Sequence, residues 1–258
     1  MKNHQDLIGL SPRLMQLAAW VRPGSRVLDV GTDHALLPIY LVQSGGVKSV
    51  IAGDVVEAPY QTARRKVQTV HLESSIDVRL GSGLSVVKPG EVDTVIIAGM
   101  GGATIAEILE SGQDVLTRVE ALLLQPMNAS GRLRETLKRL GFLLFDERMV
   151  EESGRVYQLI FAQTASTSST ERQYQSFIDG GLRWLAFEFG PINLTRGRED
   201  QFPPQYRLVR QAVEEAREHF HGILTRFPAE AGDATADRRA QISGYLREME
   251  SWLKEDKA

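Results

Sequence analysis

Arg26-Val27-Leu28-Asp29-Val30-Gly31-Thr32-Asp33-His34-Ala35 decides the fold. A short run rich in β-branched residues stops at a glycine, polar residues follow, and helical spacing begins at Leu36. β-Branched side chains suit a pleated surface, and a glycine lets the chain turn sharply where the strand ends. The same alternation repeats through the first half. Strand-like runs at 26–30, 47–52, 76–80, 92–98 and 121–124 alternate with helical spacing at 36–42, 58–71, 103–110 and 130–140. Gly31, Gly53, Gly81 and Gly99 punctuate the strand ends. Strands alternating with helices predict βαβ units and a mostly parallel sheet covered on both faces, an α/β fold.

After Gly141 the pattern changes. Residues 142–152 and 155–163 read as two strands split by Ser153-Gly154, a β-hairpin that an ordinary dinucleotide fold would not carry. Thr164 to Thr170 is a polar, low-complexity stretch that reads as a linker or surface loop. Beyond it a helix is expected over 174–189, weakened at Gly180-Gly181. Tyr206, Val209, Val213, Ala216, Phe220, Ile223 and Phe227 recur at three- and four-residue spacing, as do Ile242, Tyr245, Met249 and Trp252. Two helices joined across 229–236 would form an antiparallel pair with one apolar seam. The expected organisation is a sheet domain over residues 1–163 and a helical domain over 170–258.

Composition narrows the function classes. Of 258 residues, 42% are hydrophobic and 24% charged, a globular profile. There is no cysteine, which excludes disulfides, thiolate nucleophiles and cysteine-ligated metals and fits a soluble cytoplasmic protein. No apolar run approaches the roughly 20 residues that span a bilayer. Net charge is −3, divided as −1 over residues 1–163 and −2 over the remainder, so neither half is basic. Bulk positive charge therefore cannot be the means of holding a nucleic acid.

In a doubly wound sheet, ligands bind beyond the carboxyl ends of the strands. Those ends carry Asp29-Val30-Gly31-Thr32-Asp33-His34, then Gly53-Asp54, Gly81-Ser82-Gly83, Ala98-Gly99-Met100-Gly101-Gly102 and Gln125-Pro126. The first turn lacks the G-x-G-x-x-G pattern that brings backbone amides to a pyrophosphate; Asp33 stands at its second glycine and would repel phosphate. An acid there suits a cationic ligand instead. Asp54 is placed to accept ribose hydroxyls, although a lone acid ending a strand also serves as a helix cap. Taken together, one acid near a cation, one near a ribose and no phosphate site favour S-adenosylmethionine over a nicotinamide cofactor.

Gly31-Thr32-Asp33-His34-Ala35 with Leu37-Pro38, Ile97-Ala98-Gly99-Met100-Gly101-Gly102, and Leu124-Gln125-Pro126 closely resemble the bacterial tRNA (adenine-22)-N1-methyltransferase family. The likeness runs from Leu10 to about residue 163 and continues more weakly through the helical tail. It implies a class I, Rossmann-like methyltransferase domain with a coiled-coil-like helical C-terminal domain. It further implies S-adenosylmethionine as cofactor, tRNA as partner, and methyl transfer to N1 of adenosine 22. By the same resemblance Asp29, Gly31, Asp33, His34 and Asp54 bind the cofactor, as do Ser82, Gly83 and Leu84, and Ala98, Gly99, Met100 and Gly101. Pro59-Tyr60, Gly154 and Tyr157 match further family positions. Asp33 and His34 are the catalytic candidates, and no metal is expected. Two departures stand out. The family reads Gly-Asp-Gly-Leu where this chain has Gly81-Ser82-Gly83-Leu84, and Met127 intervenes between Gln125-Pro126 and Asn128.

Adenine N1 lies on the Watson–Crick edge, so the target must be unpaired or swung out of its stack. Tyr60 and Tyr157 are candidate stacking platforms, with ring packing as the alternative. Phosphate contacts would fall to local basic clusters: Arg64-Arg65-Lys66, then Arg132, Arg134, Lys138 and Arg139, Arg196 with Arg198, and Arg238-Arg239. The sequence leaves oligomeric state open.

Overall fold

Seven strands assemble into one sheet in the computed structural model, which describes residues 7–164, 167–196, 203–227 and 233–254. β1 (Arg26–Val30), β2 (Ser49–Asp54), β3 (Ile76–Leu80), β4 (Thr94–Met100) and β5 (Ala121–Pro126) are parallel. β6 (Phe142–Glu152) and β7 (Arg155–Thr164) form the expected antiparallel hairpin, with β7 against β5. The order is β3-β2-β1-β4-β5-β7-β6, so the chain reverses direction across the sheet between β1 and β4. That reversal opens a crevice at the carboxyl ends of those two strands.

The helices are α1 (Pro12–Trp20), α2 (Leu36–Gln43), α3 (Glu57–Thr69), α4 (Gly102–Ser111), α5 (Gln113–Leu116) and α6 (Ser130–Arg139) around the sheet. They are followed by α7 (Thr167–Asp179), α8 (Arg183–Phe189), α9 (Pro191–Arg196), α10 (Pro203–Leu224) and α11 (Asp233–Lys254). Strand residues alternate between two cores, as a period of two requires. On β5, Ala121 and Leu123 face the core built with α1–α3, while Leu122 and Leu124 face the one built with α4–α6 and the later helices. Both faces are apolar, which is why the parallel strands read as nearly continuous hydrophobic runs.

The later helices differ from expectation in three places. Thr167 already belongs to α7, so only 165–166 of the polar stretch lies outside the described residues; burial of Tyr174 and Phe177 in the second core draws the helix back into that run. The helix expected over 174–189 breaks at Gly180-Gly181, where Gly181 takes φ +72°, and resumes as α8. Residues 229–232 of the expected connection lie outside the described residues, and α11 already begins at Asp233, within the stretch expected to join the helices. The antiparallel pair itself forms: Arg210 donates to the Leu253 carbonyl at 3.3 Å and the Phe220 and Tyr245 rings lie 5.8 Å apart.

β6 is an edge strand, and side-chain amides take the place of a neighbour. Gln173 accepts from the Leu144 N–H at 3.0 Å and donates to its carbonyl at 2.6 Å; Gln205 does the same for Met149 at 2.8 and 2.9 Å. Each glutamine imitates a backbone unit and closes part of an edge that would otherwise template pairing.

A buried ion pair fixes α6, β6 and α8–α9 together. Arg134 and Glu147 are both fully buried and meet at 2.8 Å. Arg134 also donates to the Phe187 and Glu188 carbonyls at 2.9 and 2.8 Å and to Gln158 at 2.7 Å, while Glu147 accepts from Ile192 N–H at 2.9 Å. Gly190, at φ +89°, lets the chain pass: a Cβ there would lie 2.0 Å from a Glu147 carboxylate oxygen. Arg134→Ala is expected to lose about 3–5 kcal/mol, because it leaves a buried carboxylate and two carbonyls without their donor. Urea unfolding tests this; a loss below about 1 kcal/mol, the range of an exposed pair, would show that the pair does not hold these elements.

Candidate active site

The loop after β1 is held in a contorted path by backbone bonds. Gly31, Asp33 and Ala35 all take positive φ, at 72°, 50° and 51°, and the latter two are strained for residues with side chains. The Gly31 and Thr32 N–H groups both donate to the Gly53 carbonyl, at 2.8 and 3.1 Å, and the Asp33 N–H donates to Asp54 Oδ2 at 3.3 Å. Pinned to β2 in this way, the loop turns Asp33 and His34 outward, their side chains 68% and 54% exposed and 3.6 Å apart. Gly31 is required for a second reason: a Cβ there would lie 2.2 Å from the Met100 methyl.

Two cavities flank this loop. The larger, about 700 Å³, lies beyond β1, β2 and β4 against α4 and is lined by Gly31, Asp33, Asp54, Ser82, Gly83, Ala98, Gly99 and Met100. Val55, Val56, Pro59, Thr104, Glu107 and Ile108 also line it, and of these six only Pro59 stands out in the sequence. Val55 and Val56, 63% and 54% exposed, give this cavity a pair of adjacent apolar side chains open to a ligand. The smaller cavity, about 190 Å³, is lined by Asp29, Gly31, Thr32, Asp33, His34, Ala98 and Gly99 together with Arg13 and Leu14 of α1. Gly31, Asp33, Ala98 and Gly99 wall both. Two expected residues lie elsewhere. Leu84 is buried in the core against Gly112 and supports the turn from beneath, and Gly101 caps α4 beside Asn128.

Acids crowd the crevice. Asp29 is buried, and burial, with the nearby Asp54 carboxylate adding to it, pushes its carboxyl up to about 6 against the opposing effect of the Thr32 hydroxyl. Asp54 is also buried; its Oδ1 accepts from the Val56 N–H at 2.9 Å, so it caps the turn into α3 and keeps lone pairs for a ligand. Among the described residues, neither Asp29 nor Asp54 forms an ion pair with a lysine or arginine. Buried carboxylates without a protein cation suit a positively charged ligand with hydroxyls, which a sulfonium nucleoside is. The residues present therefore fit S-adenosylmethionine.

The β4 and β5 ends are tied to each other. Gly99, at φ +77°, occupies the irregularity between Ala98 and Met100, and its N–H donates to Gln125 Oε1 at 3.1 Å. The Met127 N–H donates to the Met100 carbonyl at 2.8 Å and Gly102 N–H to the Asn128 carbonyl at 2.9 Å. Met127 thus extends the turn without carrying Asn128 away: Asn128 Oδ1 lies 3.1 Å from where a Gly101 Cβ would be.

The candidate RNA contacts divide. Arg134 is corrected outright, since it is wholly buried in the Glu147 pair. Arg132 pairs with Glu107 at 3.3 Å, Arg139 pairs with Glu110, and Arg196 pairs with Asp146 at 2.6 Å. Arg198 lies outside the described residues. Arg64, Arg65, Arg238 and Arg239 are exposed on α3 and α11. Tyr60 and Tyr157 are half-buried, and the Arg13 guanidinium already covers one face of Tyr157 at 4.7 Å.

Comparison with known proteins agrees with this geometry. A family model described as a methyltransferase domain matches residues 10–160. A curated relative, the tRNA (adenine(22)-N(1))-methyltransferase of Bacillus subtilis strain 168, is 44% identical over 154 residues, 60% of this chain. That match spans 65% of the relative's own length. The crystal structure of the B. subtilis M1A22 tRNA methyltransferase TrmK superposes with a TM-score of 0.84 at 30% identity, covering 96% of this chain and 100% of that one. M. capricolum TrmK, solved with S-adenosyl-homocysteine, gives 0.75 at 26% identity over 95% and 97% of the two chains. With the strand order, the acidic crevice and a whole-chain likeness all in agreement, the chain belongs to the methyltransferase-domain family and, within it, to the bacterial tRNA (adenine-22)-N1-methyltransferases.

Proposed function

We propose that this protein transfers a methyl group from S-adenosylmethionine to N1 of adenosine 22 in tRNA, in the cytoplasm where that substrate resides. The observation that carries the reading is the pair of cavities sharing one wall at Gly31, Asp33, Ala98 and Gly99, with buried acids at their base and no phosphate cradle. Asp54 would take the ribose hydroxyls, Val55, Val56 and Ile108 the faces of the adenine, and Asp29 and Asp33 the cationic end. The cofactor supplies a sulfonium methyl with a good leaving group. The chain's own task is to align the attacking nitrogen at roughly 3–3.5 Å and to exclude water. Adenine N1 carries its own lone pair, so no base is needed before attack. Methylation leaves the base cationic, and Asp33 or His34, exposed at the shared wall, can hold that charge or accept an amino proton. The exposed arginines of α3 and α11 are the candidates for phosphate contacts.

Labelled S-adenosylmethionine and unmodified tRNA test the reading. Label transfer with a reverse-transcription stop at adenosine 22 is the expected result; transfer at another position, or to no tRNA, would reject it.

Ser82 lines the larger cavity where the family carries an acid. A carboxylate there would add a charge-assisted hydrogen bond to the adenine amino group, so Ser82→Asp should tighten cofactor binding, by about 1 kcal/mol on the scale of such bonds. Calorimetry giving unchanged or weaker affinity would refute this role for position 82.

Asp29 separates stability from binding. Its folded-state pKa near 6 lies above the ordinary aspartate value of 3.8, so the folded form holds the proton more tightly and stability falls as pH rises from about 4 to 6. The shift corresponds to roughly 3 kcal/mol at pH 7 as an upper bound. Asp29→Asn should therefore raise the thermal midpoint at pH 7, leave it nearly unchanged at pH 4, and weaken cofactor binding at pH 7. Wild-type cofactor affinity should likewise fall as pH drops through about 6. A pH-independent change in midpoint would show that the buried charge is not the cause.

A further inference from the structure

The smaller cavity owes one wall to α1, a helix outside the parallel sheet. Pro12 opens α1, and Arg13 behind it projects across the ends of three strands. Its backbone N–H and Nε donate to the Glu152 carboxylate of β6 at 3.2 and 3.0 Å. Its Nη1 donates to Gln125 Oε1 on β5, and its guanidinium lies over the Tyr157 ring of β7. Burial would raise the Glu152 carboxyl, but the bonds from Arg13 hold it below the ordinary glutamate value, so this arm of the contact is an ion pair.

Gln125 is wholly buried, and its amide orientation is set by what surrounds it. Oε1 accepts from both Arg13 and the Gly99 N–H, while Nε2 donates to the Pro126 carbonyl at 2.9 Å. Turned end for end, the amide would present its own NH2 to two donors and its oxygen to a carbonyl. Arg13 therefore opposes the flip with a charged donor, and Gly99 depends on the result. Gly99 stands in the walls of both cavities, at the irregular step of β4.

We propose that Arg13 is a positioning residue for methyl transfer: by fixing the Gln125 amide, it sets Gly99 and the strand end that separates the two cavities. The inference rests on the methyltransferase reading above. Lysine would not substitute, because one ammonium on a flexible stem lacks the planar fork that serves Glu152 and Gln125 at once.

The test uses the full chain with Arg13→Ala, Arg13→Lys, Gln125→Ala and the Arg13→Ala/Gln125→Ala double variant. Three quantities are read: kcat and KM for tRNA, the calorimetric Kd for S-adenosylhomocysteine, and hydrogen exchange at the Gly99 amide. Arg13→Ala should lower kcat by about 10–100-fold, the cost of a small misplacement, while KM and Kd hold. The Gly99 amide should exchange about tenfold faster or more. The double variant should be no worse than Gln125→Ala alone, since one residue acts through the other. If Arg13→Ala does not fold, Arg13→Lys, which keeps a charge opposite Glu152, supplies the same comparison. Unchanged kcat, additive losses, or unchanged Gly99 exchange would each overturn the proposal. So would a loss confined to the S-adenosylhomocysteine Kd, which would make Arg13 a cofactor ligand. A wild-type chain that methylates no tRNA would instead reject the functional reading, and the exchange measurement, which needs no substrate, would still decide whether Arg13 controls Gly99.

Discussion

The Arg134–Glu147 pair is the contact on which the arrangement of sheet and helices turns. Neither charge reaches water, and such a pair contributes little net stability over well-packed apolar residues. Its value lies in geometry. A guanidinium with four acceptors, drawn from β6, β7 and α8, permits one docking of the helical region. Apolar residues such as Tyr174, Phe187 and Trp252 fill the same core but would tolerate sliding. Because Arg134 sits on α6, whose first residues follow directly from the Met127-Asn128 turn, the docking reaches the end of β5 and the loop that meets Gly102.

The crevice runs on the opposite principle. Where Arg134 and Glu147 satisfy each other, Asp29 and Asp54 are buried side by side without a protein cation. Burial in low dielectric disfavours the Asp29 carboxylate, and the Asp54 charge adds to it, which is why Asp29 holds its proton to about pH 6. A fold tolerates this where a ligand supplies the missing charge, and the strained Asp33 and Ala35 belong to the same loop. Stability given up at the strand ends becomes selectivity for a cation. The same groups would repel a phosphate.

The parallel sheet and hairpin were legible because their signals are local: β-branched runs, glycines at strand ends, and Ser153-Gly154 between two strands. The acids at the strand ends were legible for the same reason. The misreadings came from residues whose role is tertiary. Arg134 looks like a solvated helix cation until Glu147, 13 residues away, proves to face it across a core. Thr167 and its neighbours read as a loop because their composition is polar, whereas the burial of Tyr174 and Phe177 decides the helix. α1 does carry a local signal, Ser11-Pro12 ahead of apolar residues, the pattern of a helix start. The α4 wall of the larger cavity had none, because Thr104, Glu107 and Ile108 become neighbours of Asp54 only through the crossover from β3 to β4.

Charge at the scale of the chain was the least informative quantity, and the reason is now visible. Four of the cations that the sequence offers for RNA contact are paired within the protein: Arg132 with Glu107, Arg139 with Glu110, Arg196 with Asp146 and Arg134 with Glu147 in the core. Those pairs cancel in the net figure of −3 and say nothing about substrate. What remains are acids gathered at the strand ends and exposed arginines on α3 and α11, two populations that a sum merges. A weakly acidic total is therefore compatible with a polyanionic substrate, provided the two are kept apart in space. The first turn of α3 meets the larger cavity at Pro59, and the same helix carries the exposed Arg64 and Arg65 further along the chain, an arrangement in which the acids would meet the cationic cofactor and the arginines the phosphates.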